Sequence, residues 1–279
     1  MSYKTVLVIG NGFDLNLGLK TSYYDFMKSE EFSQIKGSFL VTHLKKKNGR
    51  NLWIDIENEM SDYSYRLYEH FTPVAHPKKD AQIQKLKSEH IELCDALSQY
   101  LRKATAAEFT CLEESQALSI LCEIKKIKPA YILNFNYTDT IEKIKKIHLL
   151  DEIEINHIHG SLEKGIVFGV EDAAKLEKDH VFLYKSYNQF NNIQGLHSIF
   201  ENADNFMFFG YSLGQTDHSY FDDFFKAQTL PNAKKKSFTF YHYGEDAYDD
   251  LIWQLKVLTG NRLSYLKNYN VLKFINIKG

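Results

Sequence analysis

The 279-residue chain carries 34 Lys and Arg against 36 Asp and Glu, a formal net charge of −2 that offers no global field for nucleic acid or an acidic membrane. Hydrophobic residues make up 44% and charged residues 25%, which excludes wholesale disorder and suits one large domain or a domain with a sizeable insertion. Three cysteines (Cys94, Cys111, Cys122) form no CxxC pair and no His-linked metal spacing, so the expectation is a reducing cytoplasm and no metal.

In chain order, only Met1 to Thr5 precede the first strand, and no apolar run approaches the roughly 18 residues of a membrane span, so neither a signal peptide nor a membrane anchor is expected. Val6-Leu7-Val8-Ile9 is a continuous apolar run that predicts a strand buried on both faces. Gly10-Asn11-Gly12 ends it, and a helix is expected from near Thr21-Ser22, where a hydroxyl can cap it. Between 37 and 128, Leu52–Phe71 and Ile83–Lys103 have helical spacing, which predicts a helical insertion or lid subdomain with a loop bracketed by Pro73 and Pro77. From Pro129 onward strands and helices alternate. Strands are expected at Ala130–Leu133, Ile153–Ile155, Phe206–Phe209, Phe238–Tyr241 and Val271–Ile277, with helices at Thr138–Ile147, from about Asp217, and at Asp246–Leu258. The alternation predicts a Rossmann-like α/β fold with a mainly parallel sheet, in which 1–36 and 129–279 form the nucleotide-binding domain. Lys45–Lys47, Lys125–Lys128 and Lys234–Lys236 read as solvated faces and loops.

Open parallel sheets bind ligands beyond the carboxyl ends of their strands. Those ends carry Gly10-Asn11-Gly12-Phe13-Asp14, Asn134-Phe135-Asn136-Tyr137, His157-Ile158-His159-Gly160-Ser161 and Gly210-Tyr211-Ser212-Leu213-Gly214, and the fold is expected to gather them on one rim. Glycines at the first exit let backbone approach a pyrophosphate, or simply make a tight turn. The exit is not a full dinucleotide fingerprint, because Leu15 stands at the third glycine, and it is not a P-loop, because Leu19 precedes Lys20. Asn134 and Asn136 share a side by period two and can hold a ribose hydroxyl, hold a water, or satisfy local backbone. His157 and His159 share a side by the same count, and imidazole suits either a general base or a structural contact. Asp217 reads as a helix cap. Trp53 reads as core ahead of a cofactor platform, while Asp55 and Glu57, two residues apart, cannot share a helix face, which leaves one or other of them able to reach the cleft from the lid.

Taken in order, several segments closely resemble the AbiH family of bacteriophage abortive infection proteins: Ile9–Leu15, Gly18–Phe26, Trp53–Glu57, Asn134–Thr140, His157–Leu162, Phe168-Gly169 and Phe209–Gly214. The resemblance implies a role in bacterial defence, with a phage-derived trigger as partner and self-association left open. More remotely, the exits resemble sirtuins and sirtuin-like NAD hydrolases. Gly10 and Gly12 match their first glycine turn, Asn136 their Thr-x-Asn-x-Asp asparagine, His159 their catalytic histidine, and Gly210 with Ser212 their Gly-x-Ser cofactor loop. That similarity implies a sirtuin-like, DHS-like NAD/FAD-binding fold, NAD as substrate or ligand, and catalytic roles for His159 and Asn136. It implies cofactor contacts from Gly10, Asn11, Gly12, Phe13, Asp14, Asn134, His157, Gly210, Tyr211 and Ser212. Asp14 departs from the small residue or serine of that group, Thr138 replaces its aspartate, and no cysteine quartet follows Gly160, which argues against a deacylase of the usual type. The expected activity is NAD glycohydrolysis to nicotinamide and ADP-ribose. The alternative is a non-catalytic nucleotide sensor, or an effector acting through protein contacts.

Overall fold

In the computed structural model the structure describes residues 4–36, 40–47, 56–57, 59–63, 77–106, 114–127, 129–147 and 153–278. The apolar run after Lys4 becomes β1 (Thr5–Ile9), buried at all its positions, and Ala130–Asn134 becomes β2, equally buried. Such strands are covered on both faces, which their near-continuous hydrophobicity requires. With β3 (Glu154–His157), β6 (Asn205–Phe209), β7 (Ser237–His242) and β8 (Val271–Asn276) they form one sheet in the order β3-β2-β1-β6-β7-β8. All its pairings are parallel. Two short strands, β4 (Gly160–Ser161) and β5 (Gly165–Ile166), pair separately and antiparallel.

Backbone contacts divide the chain into two units: Met1–Leu19, Glu108–Ile158 and Asn192–Gly279 make one, Lys20–Ala107 and His159–Asn191 the other. The first holds the six-stranded sheet. Its strand order runs outward one way from β1 and the other way from β6, so right-handed crossovers deliver helices to opposite faces. One face buries Leu7, Ile9, Ile132, Met207 and Phe209 together with apolar residues of α1 (Asn11–Asn16), α6 (Gln116–Lys126) and α7 (Thr140–Ile147). The opposite face takes the alternate positions Val6, Val8, Leu133, Phe206, Phe208, Phe238 and Phe240. They pack with α8 (Leu196–Asn202), α9 (His218–Ala227), α10 (Gly244–Leu258) and α11 (Leu263–Tyr269). Strand register stacks aromatic rings on this face: Phe208 on Phe240 at 4.8 Å and Phe240 on Phe274 at 5.3 Å between centroids.

The second unit contains α2 (Tyr23–Met27), α3 (Glu30–Gln34), α4 (Leu40–Lys47) and the long α5 (Pro77–Ala104). Ser22 caps α2 by accepting from the Asp25 amide at 3.1 Å, as its hydroxyl suggested. Pro77 opens α5, where its missing N–H is harmless. Leu86, Leu93, Leu97 and Leu101 lie buried along α5 at helical spacing. Glu57 and Lys185 form a buried ion pair at 2.7 Å.

The structure departs from sequence expectation in three places. A helix starts at Asn11, directly after the Gly10 turn and well before Thr21. Although α6 falls inside the sequence-read insertion, it joins the sheet unit, because Ala117, Leu121 and Ile124 make an apolar stripe that the sheet buries. Residues 159–191 join the helical unit instead. Among the described residues no helix is long and apolar enough to cross a membrane.

Phe221 lies at the centre of the aromatic face, 1% exposed and touching the rings of Phe135, Phe200, Phe208, Tyr211 and Phe225. Phe221→Ala is expected to cost about 3–5 kcal/mol, read as a lower urea midpoint at unchanged slope. A cost under about 1 kcal/mol, the average for any substitution, would show that this cluster does not hold the face together.

Candidate functional site

Counting only its own strands, the sheet reads 3-2-1-4-5-6, and the order of strand addition reverses between β1 and β6 while all strands stay parallel. Ligands of such folds bind in the crevice at that reversal. Here the two turns that flank it press backbone on backbone. The Gly12 amide donates to the Gly210 carbonyl at 2.9 Å, and the Gly10 amide to the Phe209 carbonyl at 3.3 Å. A Cβ on Gly12 would stand 2.5 Å from Gly210 Cα, and one on Gly210, whose φ is +62°, 2.2 Å from the Phe13 nitrogen. These glycines therefore serve loop-to-loop closeness, and the amides of Gly10 and Gly12 are already committed. Asn11 and Ser212 lie exposed beside them.

The neighbouring exits are tied to this turn by side-chain amides. Asn136 Nδ2 donates to the Gly10 carbonyl at 3.0 Å, and the Asn136 amide donates to Asn134 Oδ1 at 2.9 Å. Asn134 Nδ2 lies 3.3 Å from His157 Nδ1, whose ring meets Glu142 of α7 through Nε2. Exits of β1, β2 and β3 thus form one hydrogen-bonded chain. Asn136 is 7% exposed, and its Oδ1 makes no hydrogen bond among the described residues.

Asp14, in α1, is fully buried. Thr138 donates to its Oδ2 at 2.7 Å, while Oδ1 has no partner among the described residues. Burial pushes its carboxyl up to about 6, against the downward pull of the hydroxyls of Thr138 and Thr140. Phe13 and Tyr211 contribute differently from a surface contact. Phe13 is a core ring set edge-on to Phe209, and Tyr211 packs 4.4 Å from Phe135 while its hydroxyl donates to Asp217 at 3.0 Å.

The family model described as bacteriophage abortive infection AbiH matches residues 6–241, a span that contains every element of this rim. The chain belongs to the AbiH family. Membership gives it a role in abortive infection, a defence against bacteriophage. No curated protein matches the chain.

The AbiH chain departs from several sequence expectations around this rim. Strand β3 ends at His157, so period-two alternation does not extend to His159. His159 is buried, bridges to Asn191 and accepts the Val167 amide through its carbonyl at 2.8 Å, all within the helical unit. Asp217 occupies the N-cap position of α9 yet makes no side-chain cap, because Tyr211 engages its carboxylate. Trp53 and Asp55 lie outside the described residues, while Glu57 is the buried partner of Lys185. No cluster of metal-ligating side chains occurs among the described residues. Sequence reasoning missed Glu142 and the hydrogen bond from Thr138 to Asp14. The available signal was the polar run Asn134–Glu142, spanning the exit of β2 and the first turn of the next helix.

Two outcomes follow for AbiH stability. Gly210→Ala puts a side chain into the Gly12–Phe13 backbone at positive φ, so it is expected to cost at least about 2 kcal/mol in chemical denaturation. The Asp14 carboxyl, raised from 3.8 to about 6, binds its proton more tightly in the folded state. Stability from this group is therefore full below pH 4 and is lost as pH rises through about 6, a drop of about 3 kcal/mol. Asp14→Asn is expected to remove that slope and to melt above the wild type at neutral pH. Parallel stability curves for the two proteins between pH 4 and 7 would refute the assignment.

Proposed function

We propose that this AbiH protein binds NAD at the β1–β6 crevice in a sirtuin-like arrangement and hydrolyses it to nicotinamide and ADP-ribose. The observation that carries the reading is the reversal of strand order at β1 and β6, flanked by the apposed glycine turns. The committed amides of Gly10 and Gly12 shift phosphate contact toward the exposed Ser212 hydroxyl and the loop around it. Asn136 supports the reading as well. Its Nδ2 is anchored on Gly10, which leaves the rigidly held Oδ1 as an acceptor for a ribose hydroxyl or a water.

In the proposed reaction the bond from ribose C1′ to the nicotinamide nitrogen breaks, and its electron pair neutralises the pyridinium ring. Positive charge develops on the ribose as in other glycoside cleavages. Water adds to C1′, and its proton passes to His159, the residue to which the similarity with sirtuin-like hydrolases assigns the base role. Asn136 Oδ1 orients that water or the ribose, turning loose encounter into reactive geometry. A second reading, nucleotide sensing without turnover, draws on Thr138, whose hydroxyl is committed to Asp14 and so is spent as a ribose contact.

Purified protein incubated with NAD is expected to release nicotinamide, and His159→Ala, compared at a temperature where it is still folded, to slow release by about 10²–10⁴-fold. Equal, nonzero turnover by wild type and His159→Ala would remove His159 from the chemistry. Calorimetric binding of NAD without turnover selects the sensor. No binding of NAD or ADP-ribose at millimolar concentration would end the proposal.

A further inference from the structure

We propose that Glu142 is the positioning residue of the crevice: it fixes the tautomer of His157 and, through Asn134 and Asn136, the placement of the Gly10 turn. The inference rests on the proposal that this crevice is the ligand site, but its physical content is independent of NAD. An ionised carboxylate can only accept a hydrogen bond, and neutral imidazole has one donor and one acceptor nitrogen. Facing Glu142, His157 Nε2 must carry the proton, which leaves Nδ1 as a lone pair. That lone pair meets Asn134 Nδ2 at 3.3 Å and so fixes which end of the Asn134 amide faces the ring. Asn134 Oδ1 is then turned to the Asn136 amide at 2.9 Å, and Asn136 Nδ2 to the Gly10 carbonyl at 3.0 Å.

Each donor in this series finds an acceptor only with the proton on Nε2. In the other tautomer Nδ1–H would oppose the Asn134 amide donor and turn to the Asn136 carbonyl, 3.4 Å away. The link from β3 to the β1 turn would then break at its first joint. The charged partner is necessary because a neutral side chain that both donates and accepts imposes no choice. Among the described residues Glu142 has no other assignment: its second oxygen, Oε2, is buried without a partner there. Side-chain exposures of 18% for His157 and 33% for Glu142 place the pair at the margin of the rim, where it can orient a neighbour.

The test is long-range ¹H–¹⁵N correlation of His157 in wild type, Glu142→Gln and Glu142→Ala, with backbone amide shifts of Gly10 and Asn136 followed together. Wild type is expected as the Nε2–H tautomer, and both variants as mixtures with displaced Gly10 and Asn136 amide signals. NAD affinity by calorimetry is expected to fall by about 10–100-fold in Glu142→Gln, the range seen when the partner that orients a ligating histidine is removed. A tautomer change in a protein that never binds NAD upholds the positioning role and ends the NAD reading. A wild type with the proton on Nδ1, or variants with an unaltered His157 tautomer and unaltered Gly10 signals, would overturn the inference.

Discussion

The contact on which the rest depends is the meeting of two glycine turns across the reversal of the sheet. Gly10 and Gly12 leave β1, Gly210 leaves β6, and their backbones touch where any side chain would collide with main-chain atoms. Backbone atoms cannot rotate away as side-chain ends can, so the contact admits little besides glycine at these positions. Its hydrogen bonds also extend the β1–β6 ladder past the last paired residues and hold the crevice walls at one separation. A crevice built this way has its walls set by the main chain rather than by side chains.

Around that contact the protein places polar groups that a simple core would avoid. Asn134 and Asn136 are buried and hydrogen-bonded into the turn, His157 and Glu142 close the series at the margin, and Asp14 and Glu142 each keep one oxygen without a partner among the described residues. Burying polar groups costs free energy unless their bonds are made, and a carboxylate costs more than an amide. Phe13, Phe135 and Tyr211 offset this by packing rings directly beneath the turns.

Family membership and fold meet at the same residues. The AbiH match begins at Val6 and ends at Tyr241, covering the sheet from β1 through nearly all of β7. All the rim segments of the sheet unit fall inside it.

The sequence alone determined the strands and the chemistry at their ends, because these are local matters. Short β-branched apolar runs bounded by turn residues favour strands buried on both sides, and glycines or amides directly after them mark exits where backbone must turn. It also determined the apolar stripe of α5 and the cap at Ser22, both of which rest on neighbours within a few positions. Tertiary structure alone decided which partners meet. That Gly12 faces Gly210, that Asn136 is anchored on Gly10, and that His157 answers to Glu142 follow from strand order and crossover handedness, which act between residues as much as 200 positions apart. Membership of α6 in the sheet unit and of His159 in the helical unit was likewise settled by packing: an apolar stripe shows that a helix will be buried, and only the assembled fold shows against what.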